Sequence, residues 1–228
     1  MIHIKEKVKA VIFDMDGTIL KTEQFWLDAT FDLLQARGVT ELTPEQKKYL
    51  KTFSGIGTKV AAEILKKEYN LEGEIHHIAD ELKERATKRY ILSIEFVVGF
   101  EDFAHQLKAH DIAIGLATNA DVATLEALSE KMDLKKFFGD KLFSIGHIGN
   151  IPKPDPAVFL HAAKELNIKP EECIVFEDSI FGFEAAKAAG MKVIAIKTEF
   201  NEESRGHAHH AIDHYGEAVD AIKDLLKK

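Results

Sequence analysis

The stretch VKAVIFDMDGT, residues 8–18, is a short apolar run that ends abruptly in two acidic residues and a glycine. An apolar run of this length, followed by loop-forming residues, is typical of a buried β-strand that breaks into a loop. Asp14 and Asp16 therefore stand at the carboxyl end of the strand. This stretch indicates both a fold class and the position of a site.

Strands and helices alternate along most of the chain that follows. We predict buried strands at residues 112–118, 173–176 and 193–196, a weaker one at 142–145, and a final short strand at 211–213. Helical spacing of apolar residues separates these runs. Buried strands that alternate with helices form a parallel sheet covered on both faces. The predicted fold class is therefore α/β, with a Rossmann-like parallel core.

The segment between the first and second strands has a different pattern. Apolar residues recur there at helical spacing, and Thr43-Pro44 has the form of an N-cap followed by a first-turn proline. We therefore predict an inserted α-helical cap domain at residues 21–95, and a core domain made of residues 1–20 and 96–228. Ligands of open α/β sheets bind at the carboxyl ends of the strands, which is where such an insert would pack.

Composition and charge exclude several classes of function. The chain has 228 residues and a formal net charge of -8, which argues against binding to nucleic acid or to an anionic membrane. It has one cysteine, Cys173, so no intrachain disulfide forms, which suits a reducing compartment. No apolar run is long enough to span a bilayer, and the first ten residues lack the apolar core of a signal peptide. We expect a cytoplasmic monomer whose partner is a small molecule.

Four polar clusters follow predicted strands, and a parallel sheet brings the carboxyl ends of its strands to one edge. The clusters are Asp14/Asp16, Thr118-Asn119, Lys153 and Glu177-Asp178. Carboxylates that meet at one point repel each other unless a cation lies between them, and hard oxygen ligands suit Mg²⁺. The pattern therefore predicts a magnesium site that also binds a phosphoryl group.

Each cluster has a chemical task in such a site. Asp14 can attack phosphorus and form an acyl phosphate that water later cleaves. Asp16 can protonate the leaving oxygen and then deprotonate the water. Lys153 supplies positive charge, and Thr118 and Asn119 can donate hydrogen bonds to phosphate oxygens. The expected substrate is a small phosphorylated metabolite.

The same residues resemble the four ordered motifs of the haloacid dehalogenase superfamily. The matching stretches are Asp14-Met15-Asp16-Gly17-Thr18, Thr118-Asn119, Lys153-Pro154-Asp155-Pro156 and Phe176-Glu177-Asp178-Ser179. The branch they resemble most is that of the β-phosphoglucomutase-like phosphatases, in which a small α-helical cap follows the first motif. The resemblance covers nearly the whole chain. It implies the fold of that superfamily, with its inserted cap.

The resemblance also implies a division of labour among the acidic residues. Asp14 would be both nucleophile and metal ligand. Asp16 would be the acid/base and would give its backbone carbonyl to the metal. Asp178 would be a further ligand, and Glu177 a less secure one, because family members differ in which acidic residue touches the metal.

Other site residues follow from the same resemblance. Thr118 and Lys153 would hold the phosphoryl group. Thr58 and Lys59 begin a predicted cap helix, where members of the family often contact the substrate. We therefore expect these two residues to bind substrate.

The sequence is compatible with three functions. The first is hydrolysis of a small phosphomonoester, with a sugar phosphate as the expected substrate. The second is intramolecular phosphoryl transfer, as in a β-phosphoglucomutase, and the third is a non-catalytic phosphate-binding or regulatory role. Trp26 lies where the mutases are expected to hold a histidine, and indole cannot titrate near neutral pH. Trp26 therefore favours the phosphatase, with Asp16 left free to activate water.

Some residues fit structural roles better than chemical ones. An isolated Asp-x-Asp is usually a solvated turn. A catalytic role is favoured here because the other three motifs are also present. The histidines at 207, 209, 210 and 214 have irregular spacing, which favours a solvated loop over a metal site. Cys173 lies in a predicted strand, where core packing is expected.

Overall fold

The protein is described by a computed structural model that covers residues 2–227, except for the side chains of residues 2, 3 and 90–92. One sheet forms its core. Its strands in chain order are β1 Ala10–Phe13, β2 Ala113–Thr118, β3 Leu142–Ser144, β4 Cys173–Glu177, β5 Lys192–Ile196 and β6 His210–Ile212. All neighbouring strands are parallel, in the spatial order β3-β2-β1-β4-β5-β6. The predicted α/β class with a parallel sheet is confirmed.

Helices cover both faces of the sheet and fill the long connection after β1. In chain order they are α1 Ile2–Lys5, α2 Glu23–Ala36, α3 Pro44–Lys51, α4 Thr58–Glu68, α5 Ile75–Ser93, α6 Phe100–Ala109, α7 Val122–Lys131, α8 Lys135–Phe138, α9 Ala157–Leu166, α10 Ile180–Ala188 and α11 Ala218–Lys227. Within the described part of the chain, no helix is long and apolar enough to cross a membrane.

The strand register places the predicted site residues at one edge of the sheet. Phe13, the last residue of β1, is level with Leu116 of β2 and Phe176 of β4. The loops after these three strands therefore begin close together. Tyr215 fixes the loop after β1, because its buried hydroxyl donates a hydrogen bond to the carbonyl oxygen of Thr18 at 3.1 Å.

An aromatic cluster packs around Phe13 at the end of β1. Phe13 is fully buried, and other rings lie with their centroids 5.4–6.1 Å from its own. These rings are those of Phe100, Phe103, Phe138, Phe176 and Tyr215. Buried aromatic residues contribute large apolar areas, so this cluster holds the end of β1 rigidly beneath the site.

Helices α2 to α5 occupy the predicted insert. The two ends of the insert meet, because the amide of Lys21 donates to the carbonyl of Glu95 at 3.0 Å and Leu20 forms an isolated bridge with Phe96. Thr43 caps α3 as expected, in a capping box with Gln46. The treatment of residues 21–95 as a separate cap domain stays a prediction.

Two local features concern where elements begin and end. The N-cap of α4 is Gly57, and Thr58 is the first helical residue. Glycine is among the residues preferred at the N-cap, where the backbone is extended rather than helical. The weak strand at 142–145 ends at Ser144, because Ile145–Ile148 forms a short 3₁₀ helix capped by the Ser144 side chain.

Candidate active site

Lys153 lies at the centre of the charged cluster. Its ammonium donates to Asp14 Oδ1 at 2.5 Å and to Glu177 Oε1 at 2.8 Å. It also lies 4.6 Å from the ring centroid of Phe159. Burial lowers the pKa of Lys153, but the neighbouring charges of Asp14 and Glu177 outweigh this effect and hold the pKa above its ordinary value. The lysine is therefore a fixed positive charge beside the predicted nucleophile.

Three carboxylates converge beside that lysine. Oxygens of Asp14, Glu177 and Asp178 lie within 4.8 Å of one another, and all three residues are buried. Burial raises the pKa of Asp14 well above its ordinary value despite the opposing effect of Lys153. Burial and the charge of Glu177 raise the pKa of Asp178 in the same direction. The cluster thus holds more negative charge than Lys153 can balance.

A fourth acidic residue, Glu23, borders this cluster. A methyl group on Gly17 would lie 2.3 Å from Asp178 Oδ2 and 2.8 Å from the carboxyl carbon of Glu23, so both carboxyls converge on this glycine. Oε1 of Glu23 is buried and has no hydrogen-bond partner among the described residues. Burial raises the pKa of Glu23 from its ordinary value of 4.5 to about 7. An all-oxygen, negatively charged set of this kind fits a hard divalent cation such as Mg²⁺.

Glu177 is tied down at both oxygens. Oε1 accepts from Lys153, and Oε2 accepts from the backbone amide and the hydroxyl of Ser179, at 2.6 and 3.0 Å. Asp178 accepts from Thr18 at 3.0 Å through Oδ1 and from Ser54 at 3.1 Å through Oδ2. A carboxylate oxygen that accepts one hydrogen bond keeps a second lone pair for a metal. Metal ligation by Asp178 and Glu177 stays a prediction.

The side chain of Asp16 lies outside the three-carboxylate group. Its Oδ1 accepts a hydrogen bond from the indole nitrogen of Trp26 at 3.3 Å. The sequence interpretation left Asp16 free to activate water and did not include this hydrogen bond. Indole cannot titrate, but it can donate, and α2 brings it within reach of the carboxylate. The predicted metal contact of Asp16 runs through its backbone carbonyl, so it stays compatible with this placement.

Thr118 and Asn119 follow β2 at the same edge. Thr118 is buried, and its hydroxyl oxygen accepts from the amide of Ala120 at 3.0 Å, which leaves the hydroxyl proton for another acceptor. Asn119 already has partners at both ends of its carboxamide, namely the Gly55 carbonyl at 3.1 Å and the Lys153 amide at 2.9 Å. Phosphate binding by Thr118 and Asn119 stays a prediction.

A cavity of about 620 Å³ opens between the sheet edge and the insert. Its lining includes Asp14, Asp16 and Lys153 from the core, and Thr58 and Lys59 from the start of α4. The fold therefore brings the two predicted substrate-binding residues to the same cavity as the predicted catalytic residues. A volume of this size holds a small metabolite with room to spare.

Ser54 and Glu23 belong to the site but were missed by sequence reasoning. Ser54 lies in a connection between two insert helices, and no spacing rule predicts that it reaches Asp178 across the fold. Glu23 was detectable in principle, because a carboxylate at the start of α2 lies one short loop from Asp16.

Other sequence expectations fall outside the site. Cys173 is buried in β4 as predicted. The ring of His209 accepts a hydrogen bond from the Val193 amide at 3.1 Å, and His210 is the first residue of β6. These two histidines therefore have structural roles beside the sheet.

The chain resembles known proteins over most of its length. Residues 11–196 match the family model described as haloacid dehalogenase-like hydrolase. A phosphorylated carbohydrates phosphatase of Thermotoga maritima is 27% identical, over 82% of this chain and 84% of that protein. A 6-phosphogluconate phosphatase of Escherichia coli is 29% identical, over 82% of this chain and 81% of that protein. A crystal structure from Entamoeba histolytica, a HAD hydrolase of family IA, variant 3, superposes with a TM-score of 0.83 at 24% identity, covering 97% and 100% of the two chains.

Proposed function

Because the chain belongs to the haloacid dehalogenase-like hydrolase family, we propose that it is a magnesium-dependent phosphatase that hydrolyses a small phosphomonoester through an aspartyl-phosphate on Asp14. The observation that carries this proposal is the contact between Lys153 and Asp14 at 2.5 Å inside a buried acidic cluster. Lys153 opposes the effect of burial on the pKa of Asp14, and so favours the ionised carboxylate. An ionised, desolvated carboxylate with a fixed orientation is the form in which Asp14 can act as a nucleophile.

The proposed reaction has two stages, and Asp14 and Asp16 take part in both. In the first, an Asp14 oxygen bonds to phosphorus while the bond from phosphorus to the ester oxygen breaks, and Asp16 gives its proton to the leaving oxygen. In the second, Asp16 takes a proton from water as that water attacks the phosphorus, and the bond from phosphorus to the Asp14 oxygen breaks. Inorganic phosphate leaves, and Asp14 and Asp16 regain their starting states.

Positive charge and hydrogen bonds would hold the phosphoryl group during transfer. Lys153 and the hydroxyl of Thr118 are the groups of the core that can do this, and both are buried at the cavity. Donors fixed in a buried site stabilise developing charge without reorganising. A magnesium ion held by Asp14, Asp178 and the Asp16 carbonyl would offset the negative charge of the carboxylates and of the phosphoryl group.

A sugar phosphate is the substrate class that we propose. The support comes from relatives, since two of those that match over four-fifths of the chain are named as phosphatases of a phosphorylated carbohydrate and of 6-phosphogluconate. The cavity is large enough for a phosphorylated sugar. Phosphoryl transfer of the mutase type is the second candidate. The hydrogen bond from the Trp26 indole to Asp16 disfavours it, because an indole cannot titrate as an imidazole can.

A panel of phosphorylated metabolites, assayed for phosphate release with and without Mg²⁺, tests the proposal. We expect release from at least one sugar phosphate, strict dependence on a divalent ion, and inhibition by Ca²⁺. Calcium takes more ligands at longer distances than magnesium, so it would misalign Asp14. Full activity after exhaustive chelation would refute the metal dependence. Magnesium binding without turnover on the whole panel would favour a non-catalytic phosphate-binding role.

A further inference from the structure

The connection between α3 and α4 reaches from the insert into the active site. Residues 53–57, FSGIG, form this docking segment, and all five line the cavity. The segment lies against the loop after β4 and the loop after β2. It is therefore the part of the insert that meets the predicted metal and phosphate sites directly.

Ser54 makes the first of two side-chain hydrogen bonds between the docking segment and the core. Its hydroxyl donates to Asp178 Oδ2 at 3.1 Å, while Thr18 of the core donates to the other oxygen, Oδ1, at 3.0 Å. Asp178 is 1% exposed, so these hydroxyls replace water as its hydrogen-bond donors. One of the two side-chain donors that orient this carboxylate thus belongs to the insert.

Asn119 makes the second hydrogen bond. Its Nδ2 donates to the Gly55 carbonyl at 3.1 Å, and its Oδ1 accepts from the backbone amide of Lys153 at 2.9 Å. A single carboxamide therefore connects the docking segment to the residue that carries the central ammonium. Through this link Asn119 can act on the site by way of Lys153.

Close packing at Gly55 adds a steric condition. A Cβ on Gly55 would lie 2.2 Å from the Cβ of Ser179, and its φ of +76° is one that L side chains rarely adopt. Ser179 also holds Glu177 and the first turn of α10, so it cannot easily move away. The docking segment reaches its observed position only because residue 55 has no side chain.

We propose that Ser54 and Asn119 are positioning residues that latch the closed insert onto the core, and that closure thereby strengthens divalent-cation binding at Asp178. The coupling to the cation rests on the proposed function. Hydrogen bonds to a metal ligand fix its orientation and raise metal affinity. Such coupling is reciprocal, so a bound cation favours the closed insert to the same degree.

Other contacts also join the insert to the core. Trp26 donates to Asp16, and Lys83 forms an ion pair with the partly exposed Asp121. Lys48 and Glu203 form an ion pair in which both side chains are 72% exposed, and exposed pairs of this kind are weak. Lys51 pairs with Glu199, also near the surface. The part-buried hydrogen bonds of Ser54 and Asn119 are the ones that join the docking segment directly to the metal and phosphate sites.

Two glycines in one segment provide a matched pair of variants. In Gly55→Ala the new methyl group collides with Ser179, whereas in Gly57→Ala it meets nothing within 4 Å at an ordinary φ of -61°. Binding of Mg²⁺ alone is measured by titration calorimetry on the full chain without substrate. We expect Gly55→Ala to weaken magnesium affinity by about tenfold or more, and Gly57→Ala to stay within about twofold of the parent.

Closure is measured in the same variants by energy transfer between two fluorophores. Cysteines introduced at the exposed positions Lys67 of α4 and Asp140 of the core carry the labels, since Cys173 is buried and does not react. We expect a longer distance in Gly55→Ala than in the parent, with and without Mg²⁺. Weaker magnesium binding without any opening would overturn the coupling, as would opening that leaves magnesium affinity unchanged.

Ser54 and Asn119 are tested one at a time. Ser54→Ala should open the insert and weaken magnesium binding, and Ser54→Thr, which keeps a hydroxyl, should restore both. Asn119→Asp keeps the acceptor for the Lys153 amide but replaces the donor to Gly55, so it should also open the insert. If neither Ser54→Ala nor Asn119→Asp opens the insert, the latch is refuted. A parent protein that binds magnesium and closes but hydrolyses no phosphomonoester refutes the proposed function and leaves the latch standing.

Discussion

Lys153 is the neighbour that favours the ionised form of Asp14. Among the described residues, Lys153 is the ammonium that contacts both Asp14 and Glu177, and its side chain is 1% exposed. Burial and the adjacent carboxylates raise the pKa of Asp14, while Lys153 opposes them. These opposing effects on the pKa of Asp14 come from groups close to it. Single substitutions in this cluster should therefore have large effects on turnover.

Asp14→Asn should abolish turnover. The amide has nearly the same shape as the carboxylate but is a poor nucleophile and a weaker metal ligand, so we expect phosphate release to fall by at least about a thousandfold. The assay is phosphate release by the purified variant with saturating magnesium. Asp155→Asn is the matched control, since Asp155 is exposed and only caps the Ala157 amide. Turnover of Asp14→Asn within tenfold of the parent would remove Asp14 from its role.

Trp26 bears on the choice between phosphatase and mutase. A mutase must keep its phosphoryl-enzyme from water long enough to return the phosphoryl group to a sugar. The indole donates to Asp16 at 3.3 Å but cannot take up a proton, so it cannot switch Asp16 in and out of use as an imidazole can. We expect free phosphate from hexose monophosphates and little isomerisation.

The measurement follows both products in one reaction. Enzyme is incubated with β-glucose 1-phosphate, a trace of the 1,6-bisphosphate and magnesium, and glucose 6-phosphate and free phosphate are quantified together. Glucose 6-phosphate forming much faster than phosphate would overturn the phosphatase assignment.

Sequence alone predicted the buried charged residues of the site better than their partners. Asp14, Lys153, Glu177 and Asp178 were found because each follows a predicted strand, and a parallel sheet gathers such positions. The Trp26–Asp16 contact depends on how α2 packs against the core. No local pattern encodes a contact of that kind.

The turn after β1 is the element on which the site depends most. Gly17 has a φ of +74°, and its amide donates to the Leu20 carbonyl at 2.7 Å, which closes the turn. Asp178 and Glu23 pack directly against its Cα. The turn therefore needs a glycine for two reasons, the backbone conformation and the space around it.

Gly17→Ala separates these two reasons when it is compared with Gly38→Ala. Gly38 has a φ of +88°, but a methyl group there meets nothing within 4 Å. We expect Gly38→Ala to cost about 1–2 kcal/mol of unfolding free energy from the backbone alone. Gly17→Ala should cost about 1–3 kcal/mol more, because the methyl group overlaps Asp178. Urea denaturation measures both, and equal losses would show that the contact with Asp178 is unimportant.

Elements were predicted well where their pattern was strong. The strands around β1 carry continuous apolar runs, and their observed bounds differ from the predicted ones by a residue or two. The contacts of the docking segment were not predictable, because FSGIG has neither helical nor strand periodicity. Its position is set by α3 and α4 and by the absence of a side chain at residue 55.

The whole molecule should respond to pH and metal together. A carboxyl group with a raised pKa stabilises the fold below its ordinary pKa and loses that contribution as pH rises through the raised value. For Glu23 this window runs from 4.5 to about 7, and the pKa values of Asp14 and Asp178 are shifted in the same direction. Without a cation, the folded protein should therefore become less stable as pH rises through this range.

Magnesium should reverse that loss, and more so at high pH. A cation binds ionised carboxylates in competition with protons. At a magnesium concentration of about a hundred times the dissociation constant, we expect the Tm to rise by about 5–10 °C at pH 8 and by clearly less at pH 5.5. Thermal unfolding with magnesium or with chelator gives both values, and Asp178→Asn should lose most of the gain. An equal rise at both pH values would contradict the assignment of these carboxylates to a metal.

The joined ends of the insert have an evolutionary consequence. Lys21 and Glu95 meet through a backbone hydrogen bond at 3.0 Å, and Leu20 and Phe96 are bridged next to them on the core side. The insert leaves the core and returns to it at adjacent positions, so it forms one closed excursion from the sheet. The entropy cost of closing such a loop grows only slowly with its length. A lineage can therefore lengthen, shorten or replace this excursion while the reacting residues keep their places. New substrates would then be acquired by exchanging one module, as grafting a foreign insert between residues 21 and 95 would reproduce in the laboratory.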